Sequence, residues 1–243
     1  YYDGQCFDSE VDYIADFDRE NDDEKVFRPG ETVRVISEMV PPPAKLLDFG
    51  CGLGDFLRQA SRRGYTAEGF EVSAYAAGFA RDHGFTVYDS FERLPRERYD
   101  IVTAIEVLEH CSSPMKALTA IHQSLKPGGV FYYTTLAFDG FYHKRRLGLR
   151  DSRDDYIVPE GHIHFFSTGV MKSYFSRIGY SEVFFFSPRA YQRDRVFRML
   201  ARLGFVETAD APSTLPGKIS YYGARNLART FVLRKRLLPL ARR

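Results

Sequence analysis

Leu46-Leu47-Asp48-Phe49-Gly50-Cys51-Gly52-Leu53-Gly54-Asp55-Phe56-Leu57 is the stretch that decides the fold of this 243-residue chain. An apolar run ends in an acid, three glycines alternate with other residues, and a helical pattern begins. That order reads as strand, tight turn, helix. Glycine opens backbone angles closed to other residues and lets a ligand lie against the main chain. The amides that start the next helix point into the same space.

Three further motifs follow in order: Gly69-Phe70-Glu71-Val72-Ser73, then Tyr99 through Ile105-Glu106-Val107-Leu108-Glu109-His110, then Leu125-Lys126-Pro127-Gly128-Gly129 through Thr135. Glu71 closes a second apolar segment about twenty residues after the turn, where nucleotide-binding α/β folds carry an acid for a ribose diol. Periodicity places strands at 44–49, 66–71, 85–88, 99–105, 130–135 and 180–186. Helices are expected at 54–63, between Ser73 and Gly84, from Pro114, and at 168–178. Repeated strand–helix units predict a parallel sheet with helices on both faces.

The flanks read differently. Residues 7–25 form an acidic helical pattern, broken at Pro29-Gly30, and Val33, Ile36, Met39 and Val40 make one face of a second helix before Pro41-Pro42-Pro43. Residues 137–166 are too long for an ordinary connection and suggest a cap. Beyond Pro188 a helix is expected at 191–203, a loop at 211–217, an antiparallel strand at 218–222 and a basic helix over 225–243.

The four ordered motifs carry a resemblance. Over about Lys45 to Pro188 the chain resembles the class I S-adenosylmethionine-dependent methyltransferases, and within them the small-molecule group that includes the ubiquinone-type O-methyltransferases. The resemblance implies an α/β, Rossmann-like, open and mostly parallel sheet with an antiparallel last strand. A core over 44–188 would carry N-terminal helices in 1–43, a cap insertion at 137–166 and a C-terminal extension over 189–243. It implies S-adenosylmethionine as cofactor. The main chain around Gly50, Cys51, Gly52 and Gly54 would lie against its methionine part, with no chemistry assigned to the Cys51 thiol. Asp48 would sit near the donor's amino group, Glu71 would bind the ribose hydroxyls, and Val72 would pack on adenine. Asp89 and Ser90 would meet the adenine amino group, and Glu106 would face the methionine end.

An acceptor hydroxyl must lose a proton, so a base is expected beside it. His162 or His164 is the candidate in the cap, where strand alternation would put both on one side, and His110 is a third. Packing roles for all three stay open. No metal is expected, because two histidines alone do not make a site and the only carboxylate at persuasive spacing is Glu160. The basic run 143–153 suits an anionic acceptor. Methylation at nitrogen or carbon remains a second reading. A dinucleotide-dependent dehydrogenase is disfavoured because Gly50-x-Gly52-x-Gly54 is not GxGxxG. A silent nucleotide-binding module is the third reading.

Bulk properties add bounds. The net charge of +2 does not call for nucleic acid. Residues 1–31 hold eleven acids against three bases, and 225–243 hold seven bases and no acid. Those ends are expected to pack on the core or on a second copy in a homodimer. Three cysteines without CxxC spacing fit a reducing compartment, hence the cytoplasm. No apolar run approaches the roughly 18 residues of a membrane span.

Overall fold

The computed structural model describes residues 29–136, 138–139, 146–148, 162–186 and 228–235. The expected helices at 7–25 and 191–203, and the strand at 218–222, lie outside those residues. Helix α1 spans Pro29–Met39. Pro29-Gly30 opens this helix, since proline's fixed φ and missing N–H suit a first helical turn. Strand β1 (Lys45–Phe49) follows, then α2 (Asp55–Arg62), β2 (Thr66–Phe70), α3 (Ala74–Asp82) and β3 (Thr86–Tyr88). The second half holds β4 (Tyr99–Ile105), α4 (Pro114–Ser124), β5 (Leu125–Leu136), α5 (Thr168–Ile178), β6 (Tyr180–Phe186) and β7 (Ala228–Lys235).

The strands form one sheet in the order β3-β2-β1-β4-β5-β7-β6. β1 is parallel to β2 and β4, and β4 is parallel to β5. β5 begins earlier than expected: Tyr99 pairs with Leu125 and Ile101 with Val130, so Lys126 to Gly129 bulge between them. Gly128 makes that bulge with φ +79°.

One expectation fails. The segment read as a basic helix contains β7, which runs antiparallel to both β5 and β6 and separates them. Thr230-Phe231-Val232-Leu233 is a β-branched and aromatic run, and the edge of β5 offers it a ladder of main-chain partners. Strand pairing overrides the local charge pattern there.

Side chains alternate across the sheet. Leu46 and Ile101 turn to one face with Val33, Ile36 and Met39 of α1 and Phe56 and Ala60 of α2. Leu47 and Val102 turn to the other with Leu118 and Ile121 of α4 and Met171 and Phe175 of α5. At the β2–β4 level, buried Glu68 accepts from Tyr99 Oη at 2.6 Å, from Tyr88 Oη at 3.0 Å and from Arg98. Burial pushes that carboxyl up, but these donors outweigh it and hold it below the usual range.

β1 and β2 meet at the glycine turn with no room to spare. A Cβ on Gly69 would lie 2.5 Å from Cys51 Sγ and 3.1 Å from Leu57 Cδ1. We therefore expect Gly69→Ala to lower stability by about 1–3 kcal/mol, the usual cost of overpacking. Adding Cys51→Ala, which removes the clashing sulfur, should restore most of that loss in urea melts. If the double variant is no more stable than Gly69→Ala, Cys51 does not fill the space under the turn.

Candidate active site

The site begins where β1 ends. Gly50, Gly52 and Gly54 all take positive φ, at +83°, +54° and +93°. Two of them have further reasons to be glycine. A Cβ on Gly50 would sit 2.6 Å from Val107 Cγ2, and one on Gly54 would sit 3.3 Å from Phe85 Cδ2. The turn is held by its neighbour strand: Phe70 O accepts from Gly50 N at 2.8 Å and from Cys51 N at 3.1 Å.

Glu71 is buried and completes this brace. Its Oε2 accepts from Gly52 N at 2.9 Å and its Oε1 from Ser73 N at 2.8 Å. Ser73 in turn caps α3 through Ala76 N. Each carboxylate oxygen keeps a second lone pair for another donor. Val72, next along, is 50 % exposed, an unusual fate for valine in a core motif and one that leaves its side chain open to a ligand.

Asp48 lies beneath the turn. It is buried, and Thr103 Oγ1 donates to its Oδ1 at 2.6 Å. Burial pushes its carboxyl up to about 7, the charge of Glu71 adds to this, and the Thr103 hydrogen bond opposes it. At the end of β3, Asp89 Oδ2 meets Arg81 at 2.9 Å and its Oδ1 meets Arg93 at 3.2 Å. The Arg81 hydrogen bond chiefly holds Asp89 below the usual range. Sequence reasoning missed both arginines. Ser90 begins the short 3-10 turn Phe91–Arg93 and makes no side-chain cap there.

A second group of polar residues gathers where β4 and β5 end. Glu106 takes φ +53°, uncommon for a residue with a Cβ, while its N–H donates to Thr134 O at 3.1 Å. The chain then makes a 3-10 turn over Leu108–His110. Glu109, inside that turn, is 2 % exposed. Both its carboxylate oxygens are buried without a hydrogen-bond partner among the described residues. Burial raises Glu109 well above the ordinary carboxylate range, and the nearby charge of Glu106 adds to it. Glu106 is raised by burial too, with Glu109, Thr134 and His162 pulling the other way. The Thr134 and Thr135 hydroxyls lie close enough to ease these two acids, but neither is in hydrogen-bond geometry.

The cap's end is stapled to this turn. Glu109 O accepts from Ile163 N and His164 N, each at 3.0 Å. Asp139, after β5, accepts from Thr168 N at 3.0 Å and from the Thr168 hydroxyl, and Phe138 N donates to Phe166 O at 2.9 Å. Phe138 meets Phe165 edge to face, with centroids 4.8 Å apart. The staple separates the two cap histidines. His162 stands 4.7 Å from the His110 ring, and one donor atom each from Glu109, His110 and His162 lie within 4.8 Å of one another. His164 stacks on Phe166 instead. The case against a cation here rested on a missing carboxylate, and Glu109 supplies one. Glu160 and, apart from residues 146–148, the basic run 143–153 lie outside the described residues. Glu109 is the candidate that sequence reasoning passed over, although it stands only three residues after Glu106.

The chain resembles the ubiquinone biosynthesis O-methyltransferase of Pseudomonas syringae pv. tomato, at 32% identity over 103 residues, 38% of this chain and 44% of the relative. It thus spans less than half the length of the curated relatives it matches. A solved S-adenosylmethionine-dependent methyltransferase from Mesorhizobium loti superposes with a TM-score of 0.55 at 20% identity, covering 84% of this chain and 96% of that one. Phosphoethanolamine N-methyltransferase 2 of Haemonchus contortus, solved in complex with S-adenosyl-L-methionine, gives 0.53 at 16% identity over 85% of this chain and 52% of that one. At these identities the superpositions speak for the fold. Among the described residues no helix is long and apolar enough to cross a membrane. The methyltransferase domain pattern matches residues 23–183, and the chain belongs to that family.

Proposed function

We propose that this chain transfers the methyl group of S-adenosylmethionine to an oxygen of a small-molecule acceptor. The observation that carries the reading is Glu71, a buried carboxylate already fixed by Gly52 N and Ser73 N beside a glycine turn. A carboxylate so placed has lone pairs free for two ribose hydroxyls. Val72 packs on the adenine, and Asp89 and Ser90 lie at its amino edge, with Arg81 and Arg93 keeping Asp89 ionised. Gly50, Gly52 and Gly54 admit the methionine part, Asp48 sits near its ammonium, and Glu106 faces it from the end of β4. The region 44–188 forms the donor-binding core, which β7 extends from the C-terminal side. The setting is the cytoplasm, and no nucleic acid takes part.

The sulfonium brings its own leaving group, so the protein's work is to align acceptor oxygen, methyl carbon and sulfur and to keep water out. The acceptor enters beside His110, His162 and the aromatic pair Phe138 and Phe165, at the carboxyl ends of β4 and β5, where ligands of open parallel sheets bind. Calorimetry with S-adenosylhomocysteine, followed by mass spectrometry for a product one methyl group heavier in a small-molecule extract, tests the reading directly. Binding of a nicotinamide dinucleotide in place of S-adenosylhomocysteine would overturn it.

Glu71→Ala should weaken S-adenosylhomocysteine binding by about 1.5–3 kcal/mol, roughly ten- to a hundredfold. An unchanged dissociation constant in a folded variant would place the ribose elsewhere.

Donor affinity should also depend on pH through Asp48. With its carboxyl raised from 3.8 to about 7, this group favours the free fold when protonated, so its contribution to stability falls as pH climbs between those values. The donor's ammonium favours the ionised form. Binding should release a proton below about pH 7, and affinity should rise with pH by up to about tenfold per unit before levelling off. Asp48→Asn should flatten the curve. A wild-type affinity that is constant from pH 5 to 8 would count against this placement.

A further inference from the structure

Glu68 makes none of the donor contacts, yet it joins both ends of the segment that carries two of them. It stands on the face of β2 that packs with Leu47 and Phe70. A buried carboxylate there is costly to ionise and adds little stability beyond what an apolar side chain of its size would give. Its partners point to another role. Oε2 accepts from Tyr88 Oη at 3.0 Å and from Tyr99 Oη at 2.6 Å, and Oε1 pairs with Arg98. Tyr88 ends β3, and Arg98 and Tyr99 lead into β4. Between them runs the crossover 89–97, which presents Asp89, Ser90 and Phe91. β1 separates β2 from β4 in the sheet, so no main-chain ladder joins Glu68 to Tyr99. β3 has three residues and lies at the edge of the described sheet. The Glu68 side chain thus reaches where the ladder does not. The crossover itself is well anchored: Asp89 pairs with Arg93, Phe91 stacks on Phe70 with centroids 5.2 Å apart, and Leu94 is buried. Tyr88 O also accepts from Glu71 N at 2.9 Å, which ties Glu71 to the same corner.

We infer that Glu68 is a positioning residue for the donor's base: by holding Tyr88 at one end of the crossover and Arg98 and Tyr99 at the other, it fixes Asp89 and Ser90 where the adenine amino group meets them. The inference rests on the methyl-transfer reading above and on its placement of the base. The adenine amino group donates, and Asp89 accepts. An oxo group at the same ring position has no proton to give and sets its own lone pairs against the carboxylate, so a fixed Asp89 rejects it. With the clamp released, Asp89 is free to follow Arg81 and Arg93, both of which it already meets. Selection of the base then fades before the rest of the donor is lost, because Glu71 keeps its own main-chain partners Gly52 N and Ser73 N. The clamp acts on which nucleoside is accepted, and the ribose and methionine contacts do not depend on it.

The test is calorimetry on the whole chain with S-adenosylhomocysteine and with S-inosylhomocysteine, in which an oxo group replaces the amino group. The wild type should bind the first more tightly by about tenfold or more. Glu68→Gln leaves Arg98 without its charge partner. It should weaken S-adenosylhomocysteine binding by about tenfold and change S-inosylhomocysteine binding by less than about twofold, so the preference for the amino base shrinks. Tyr88→Phe removes one hydroxyl from the clamp. It should give a smaller change in the same direction, and it serves if Glu68→Gln does not fold. A purely structural role would lower the unfolding midpoint and weaken both ligands alike. An unchanged preference in a folded variant therefore overturns this inference alone. A wild type that binds S-adenosylhomocysteine but does not prefer it to the oxo analogue removes the base from Asp89 and overturns the inference, while the methyl-transfer reading stands. Failure of the wild type to bind either ligand overturns the methyl-transfer reading itself.

Discussion

The glycine turn after β1 depends on one brace between neighbouring strands. Phe70 O receives the N–H groups of Gly50 and Cys51, and Glu71 receives that of Gly52. A turn of three left-handed glycines has no side chains of its own to fix it, and glycine gives up more conformational entropy on ordering than any other residue. The second strand therefore supplies the order. The same carboxylate that steadies the turn also steadies the start of α3 through Ser73. Turn and scaffold are thus one hydrogen-bonded unit.

Tight packing supports the brace from below. Gly69 leaves space that the Cys51 side chain fills, and Val107 fills the space beside Gly50. Val107 follows Glu106 directly, so the glycine turn and the acidic turn after β4 lock against each other. A change in one moves the other. This coupling brings the glycine turn and the polar residues Glu106, Glu109 and His110 into one neighbourhood.

Asp48 and Glu109 are raised by the same cause, burial, but their settings differ. Asp48 keeps a hydroxyl donor from Thr103, which limits its shift. The Glu109 carboxylate has no formed hydrogen bond among the described residues and a second carboxyl beside it, so its neutral form is favoured more strongly. Both would be relieved by positive charge, and the donor carries two such charges. The chain's electrostatics are in this sense incomplete without its ligand.

Much of this was legible in the sequence, and the reason is locality. The periods of 2 and 3.6, the glycines, and the caps at Ser73 and Gly179 all act within a few residues, so β4 and α5 lie where the pattern puts them. The family emerged from four such local motifs in order. What needed the tertiary structure were pairings across long separations. β7 is a strand because the edge of β5 accepts it, and its charges gave no sign of that. Asp89 is tied to Arg81 and Arg93, contacts that spacing alone does not select. His162 and His164 were equivalent on paper. Two hydrogen bonds from the main chain at 163 and 164 to Glu109 O distinguish them, and set His162 beside His110. Sequence determined which chemistry was available, through short-range backbone preference. Only the fold decided which groups meet, because a side chain's partners are set by the packing of segments that the sequence keeps far apart.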